Sequence, residues 1–324
     1  MTSEPASVAA WPPIAAQPMF TLAHLSDPHV PGPLAAGPGA LLGKRLLGYL
    51  SWRCRRTRIH RQEVLDALAR DLGGERPDHV AVTGDLVNIS LPTEFARAAA
   101  WLSGLGSPER VTVVPGNHDA YVAVPWARSW AQWAAYMSSE TATDAAAAPP
   151  AAAEFPILRR RGPLAIVGLS TALPTAPGLA SGRLGAHQLA ALARLLEQLR
   201  GIAVFRVILL HHPPIPGTTP RRKGLADAAA FRDVVATAGA ELVLFGHNHR
   251  FCAAEIAGAD GPVPVFGVPS ASALPTAGTE AGQYHLFGVE RSPGGWTLAL
   301  RARRYDSRSG RFVAADRRVV ELVR

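Results

Sequence analysis

The 324-residue chain has room for one large or two small domains, and 48% hydrophobic residues with a mean hydropathy of +0.09 exclude a disordered or fibrous protein. Its formal charge of +8 comes from 33 basic and 25 acidic residues. Only Lys44 and Lys223 are lysine, so the excess reads as a bias of composition rather than a nucleic-acid surface.

The leader, residues 1–18, lacks a basic start and a continuous apolar run, so it reads as a flexible tail rather than a signal peptide. No segment reaches the ~18–20 apolar residues of a membrane span. Cys54 and Cys252 form neither a disulfide framework nor a CxxC zinc pair. A cytoplasmic location is expected. Strands are predicted near 20–26, 79–84, 111–114, 164–169, 204–210 and 241–245, alternating with helical stripes as in an α/β domain. The first stripe, His60–Leu72, is expected to stop at Gly73-Gly74. Others run over Thr93–Leu102, Ala186–Leu199 and Asp227–Ala238. Low-complexity residues 140–153 read as a surface loop. Beyond 262, PVPVFGV, YHLFGVE and WTLALRARRY predict consecutive antiparallel strands on the same core, with the arginines of 301–318 on a solvated face. Neither a repeat nor a linker divides the chain, so residues 19–324 are expected to form one domain.

Five of these strands end in metal-compatible side chains. They are Asp27-Pro28-His29, Gly84-Asp85, Gly116-Asn117-His118-Asp119, His211-His212 and Gly246-His247-Asn248-His249. Strand C-terminal ends are where open α/β sheets bind ligands, and six of the eleven histidines fall there. Residues i and i+2 of an extended segment point the same way, so Asp27/His29 and His247/His249 are expected to converge. Pro28 favours that extended geometry, and the glycines permit tight turns. Carboxylate, imidazole and carboxamide donors without thiolate suit Mn, Fe or Zn.

In this order the motifs DPH, GD, GNHD, HHPP and GHNH resemble those of the calcineurin-like metallophosphoesterase superfamily, over roughly residues 20–250. SGRLGAHQL resembles an element of its bacterial phosphodiesterase branch, similar to class III cyclic-nucleotide phosphodiesterases. The resemblance implies a four-layer α/β/β/α sandwich with two mixed sheets and the metal site at the C-terminal ends of the strands. It implies two divalent or transition metal ions. One would be held by Asp27, His29, Asp85 and His249, the other by Asp85, Asn117, His211 and His247. It places His118 over the substrate, with Asp119 orienting it, and a hydroxide shared by the cations attacking phosphorus in line. The function implied is hydrolysis of a small-molecule phosphodiester. A nucleotide-linked lipid pyrophosphate such as UDP-diacylglucosamine is an alternative substrate, although GNRD is usual in that enzyme where this chain has GNHD. A nuclease acting on DNA or RNA ends is a weaker option, and a catalytically inactive partner-binding scaffold is the non-enzymatic one.

The insertion at 37–61 contains LLGKRLLGYLSWRCRRTRIHR (41–61), with seven basic and no acidic residues. It reads as a loosely amphipathic helix near the metal site. Three roles stay open: a solvated helix, a membrane-surface or lipid-substrate platform at the inner membrane face, or a nucleic-acid contact. His24, His60, His79, His187 and His285 read as core residues. His212 stands beside the ligand set, and Asn88 is either a turn residue or a substrate contact.

Overall fold

The structure, a computed structural model, describes residues 19–32, 36–139, 154–276 and 278–323. The expected tail at 1–18 and loop at 140–153 lie outside them. In chain order the strands are β1 (Phe20–Leu25), β2 (His79–Val82), β3 (Val111–Val113), β4 (Ile157–Arg161), β5 (Leu164–Gly168), β6 (Phe205–Leu209), β7 (Leu242–Phe245), β8 (Cys252–Ile256), β9 (Val263–Gly267), β10 (Gln283–Ser292), β11 (Gly295–Asp306) and β12 (Arg311–Val323). The helices are α1 (Lys44–Ser51), α2 (Thr57–Ile59), α3 (Gln62–Glu75), α4 (Pro92–Leu105), α5 (Ala186–Arg200) and α6 (Ala228–Ala238).

The strands form two mixed sheets, ordered β12-β11-β10-β1-β2-β3 and β4-β5-β6-β7-β9-β8. Strands β1–β3 run parallel, as do β5, β6, β7 and β9. Leu22, Ala81, Phe287 and Leu298 of the first sheet meet Ile166, Phe205, Leu244 and Phe266 of the second between the layers. Val64, Leu68 and Phe95 of α3 and α4 cover the outer face of the first sheet. Leu192, Leu196, Phe231 and Val235 of α5 and α6 cover that of the second. The result is the expected α/β/β/α sandwich. The central parallel strands are apolar on both faces because the sheets are covered on both faces there.

Three local expectations are corrected. Helix α3 passes through Gly73 and Gly74 to Glu75. Glycine costs only ~1 kcal/mol in a helix interior, and burial of Val64, Leu65, Leu68 and Leu72 outweighs it. The helix stops instead at Arg76, which is left-handed with φ 49°. PVPVFGV, read as antiparallel, becomes β9, which lies parallel to β7 in the second sheet; only β10–β12 are antiparallel additions to the first. Arg303, assigned to a solvated face, is instead largely buried against Asp71.

The insertion is held to the body by one face. Arg45 donates to the carbonyls of Ile89 (3.1 Å) and Ser90 (2.6 Å). Tyr49 and Trp52 pack on Ile89, Leu91 and Tyr121. The opposite face leaves Leu42, Leu46, Leu47 and Leu50 from 47% to 77% exposed. A π-helical turn, Trp52–Arg56, follows α1. Such wide turns are frequent at functional sites, and this one ends on Arg56.

Candidate metal centre

The seven expected ligands gather into one cluster. Asp27 and His29 follow β1, Asp85 follows β2, Asn117 follows β3, His211 follows β6, and His247 and His249 follow β7. The cluster therefore sits where the C-terminal edges of both sheets meet. Nε2 of His249 lies 3.1 Å from Asp27 Oδ1 and 3.3 Å from His29 Nε2. On the other side, Asn117 Oδ1 lies 3.2 Å from His211 Nε2 and 2.9 Å from His247 Nδ1. Asp85 Oδ2 stands between the groups, 3.8 Å from His29 Nε2 and 3.4 Å from His211 Nε2.

The donor chemistry fits a pair of cations. Each carboxylate spends one oxygen on backbone: Asp27 Oδ2 accepts from His247 N–H (2.9 Å) and Asp85 Oδ1 from His118 N–H (2.7 Å). The other oxygen of each faces inward. His29 and His211 donate through Nδ1 to the carbonyls of Val87 (3.1 Å) and Thr83 (2.7 Å), which assigns the Nε2 lone pairs inward. Asp27, His29, Asp85 and His211 are at most 2% exposed. Buried lone pairs and carboxylates packed this closely need positive charge among them. With no cation bound, that charge is a proton on His211 Nε2: burial opposes it, yet Asp85 and Asp27 prevail and hold the pKa up at about 9, and a bound cation would displace it.

The backbone that achieves this is not the extended one expected. Asp27 (φ 51°), His29 (36°), Asp85 (56°), His247 (68°) and His249 (53°) are all left-handed. Non-glycine residues in such conformations cluster at functional sites, because the surrounding structure must impose them. Here Asp27 and His29 N–H donate to the carbonyls of Gly84 (2.9 Å) and Asp85 (3.0 Å), tying one ligand loop to the next. Gly246 is required by close approach: a Cβ there would meet Ser26 and the Asp27 carboxylate.

His118 and Asp119 separate in role. Asp119 does not touch the His118 imidazole; its carboxylate accepts the N–H groups of Asp85 (2.9 Å), Leu86 (2.8 Å), Val87 (3.1 Å) and Gly116 (2.8 Å). The expectation that it orients His118 is thus corrected: it clamps the GD loop to the GNHD loop. His118 is oriented by the Asn88 carbonyl, which accepts from Nδ1 at 2.5 Å. Its Nε2 accepts from Arg56 Nη2 at 2.7 Å. Burial, and then the Arg56 charge, hold the His118 pKa down at about 3.

Other residues were unforeseen or misread. Arg56 is the main omission, because nothing in a run of arginines marks the one that turns inward. His60, read as core, places its ring 4.5 Å from that of His29. His29, His60 and His249 offer ligand atoms within 4.8 Å of one another, as do Asp27, Asp85 and His211. His212 is held by Thr171 (2.7 Å) and packs its ring 4.4 Å from that of His247. His24, His79 and His285 are buried, whereas His187 is exposed, contrary to its reading as core. Asn88 lies in a bend, and it lines the cleft while its carbonyl accepts from His118. That cleft, about 650 Å³, opens over the ligands between the insertion and the loop at 178–180 and 219–223.

With fold and site in view, the chain belongs to the calcineurin-like phosphoesterase family, whose profile matches residues 20–251. It is a metallophosphoesterase by family. Among solved structures it is similar to a dimetal phosphatase from Danio rerio, at 15% identity and a TM-score of 0.62, covering 92% of this chain and 99% of that one. It is also similar to the purple acid phosphatase PPD1 from yellow lupin, Lupinus luteus, at 10% identity and a TM-score of 0.58. That match covers 93% of this chain but 54% of the lupin protein, so the chain spans about half its length. At these identities the likeness is one of fold. A search of curated proteins by sequence returned no match.

Proposed function

We propose that the protein is a phosphodiesterase with a dinuclear centre of Mn, Fe or Zn, held by Asp27, His29, Asp85 and His249 on one side and Asp85, Asn117, His211 and His247 on the other. The observation that carries this reading is Asp85 Oδ2, poised between His29 and His211 as a bridging ligand would be. When bound, the cations supply Lewis-acid charge and a water of lowered pKa for attack on phosphorus. The chain's own part is positioning and charge. Asn117, His118 and Arg56 face the cleft where the phosphoryl group would sit. In the assigned tautomer His118 Nε2 carries no proton, so the donor at this position is the Arg56 guanidinium, steadied by His118. Preorganised charge of this kind, aimed at the developing phosphoryl anion, is the largest catalytic contribution a protein makes to such transfers.

Mn-loaded protein should hydrolyse bis(p-nitrophenyl) phosphate. His118→Ala, which would release the Arg56 guanidinium, should lower kcat by ~10²-fold or more while metal content is unchanged. Full turnover by this variant would contradict the role given to His118, and no turnover by metal-loaded wild type would overturn the proposal.

A second reading, a pyrophosphatase acting on a nucleotide-linked lipid, is favoured by one observation: the exposed leucines of α1 stand at the edge of a basic cleft. On that reading the insertion also contacts a membrane surface, at the inner face of the cytoplasmic membrane. No helix among the described residues is long and apolar enough to cross one.

A further inference from the structure

The rim of the cleft carries more positive charge than one phosphodiester can answer. Arg55 and Arg56 come from the insertion, Arg222 and Lys223 from the segment after β6. Asp85, on the floor, is the only carboxylate among the described lining residues. Some exposed cations elsewhere meet acids, as Arg61 meets Glu63 at 3.0 Å, Arg200 meets Asp260 at 3.1 Å and Arg301 meets Glu75 at 3.0 Å. The rim cations gather on one cleft, and none of them pairs with a described carboxylate. They are also close enough to act on one another: burial, then Arg222, Arg56 and Arg55, lower the pKa of Lys223. Their backbone is fixed, because Ala180 N–H donates to the Arg222 carbonyl (2.9 Å) and Lys223 N–H to that of Pro220 (2.8 Å). Arg56 is already engaged by His118 and faces the ligands. Arg55, Arg222 and Lys223 are exposed at the mouth.

We propose that Arg55, Arg222 and Lys223 form a second anion subsite, with Arg56 between it and the metal ligands, so that the substrate carries a further phosphate-like group beside the scissile phosphoester. This rests on the phosphodiesterase reading and narrows it. A diester carries a single negative charge, which the metal side of the cleft answers, whereas Arg55, Arg222 and Lys223 add three positive charges at its mouth. A substrate with a second anionic group matches that excess, and clustered charge-assisted hydrogen bonds are the strongest a protein offers such a group. A nucleoside diphosphate ester and a bisphosphorylated lipid headgroup share this chemistry.

The test is calorimetric titration of Mn-loaded protein, at fixed ionic strength, with methylphosphonate, methylenediphosphonate and propane-1,3-diyl bisphosphonate, none of which can be hydrolysed. Metal content is measured after each titration, because bisphosphonates chelate. At least one bisphosphonate should bind about tenfold or more tightly than methylphosphonate. The exposed double variant Arg222→Gln/Lys223→Gln should bring that ratio close to one. Equal affinities in wild type, or a preference that survives in the double variant, would overturn the subsite while leaving the phosphodiesterase reading intact. Protein that binds none of the three would count against both. Should the subsite hold, bilayer vesicles bearing phosphatidylinositol 4-phosphate and soluble nucleoside diphosphates, compared as competitors, separate the two sources.

Discussion

Removing the Asp119 carboxylate would strand the four backbone N–H groups it accepts, those of Asp85, Leu86, Val87 and Gly116. An orphaned buried donor costs ~1–3 kcal/mol, so Asp119→Ala should lose ~3–5 kcal/mol in urea unfolding and weaken metal uptake as well. An unchanged midpoint would mean that water replaces the carboxylate without loss. A second residue-scale prediction concerns His285, whose ring lies against Phe251 and Phe287 with neither nitrogen partnered. Burial lowers its pKa from 6.5 to about 3. The unfolded chain therefore binds a proton that the folded chain refuses between those values, and stability falls as pH drops through that window. At pH 5 this one group costs about 2 kcal/mol. His285→Phe should flatten the decline between pH 6.5 and 4 in thermal melts; a wild-type slope in the variant would contradict the assignment. The ligands were legible because five apolar runs each ended in a donor. Their left-handed backbone was not, since Asp and His adopt it only under tertiary restraint. The Asp119 role was misread for a related reason: adjacency to His118 in sequence says nothing of which way a carboxylate turns.

The elements tell a parallel story. The strands that escaped sequence reading, β4, β8 and β12, all lie at sheet edges. Edge strands carry charge and small residues, as ILRRR and CAAEI do, and so lack the apolar signal of their neighbours. The parallel pairing of β9 with β7 depends on partners distant in sequence, which local pattern does not encode. The insertion's place beside the site was legible from its position after the first ligand pair. Its π-helical turn, which selects Arg56 from six arginines, was not. With one face of α1 packed on Ile89 and Leu91, its leucines are left outward beside basic residues, the pattern of an interfacial helix. We predict that the protein co-sediments with vesicles containing anionic phospholipid, and that Leu46→Ser/Leu47→Ser/Leu50→Ser reduces the bound fraction at least about threefold. Equal sedimentation of the two proteins would leave α1 as a solvated helix.

At the scale of the whole molecule, the site exists only because the two sheets are packed together. The loops after β1, β2 and β3 bring Asp27, His29, Asp85 and Asn117 from one sheet, while those after β6 and β7 bring His211, His247 and His249 from the other. Cations bound across that seam would join the layers, so metal binding and folding are linked. The four-layer order was legible because alternating strand and helix patterns allow few arrangements, whereas the seam depends on packing between strands distant in sequence. The central claim is one dinuclear pocket bridged by Asp85, and metal content after reconstitution and desalting tests it most directly. Wild type should retain two transition-metal ions per chain, and Asp85→Ala should retain neither. Wild-type protein that never takes up cations, or an Asp85→Ala variant that keeps one at full affinity, would contradict the account.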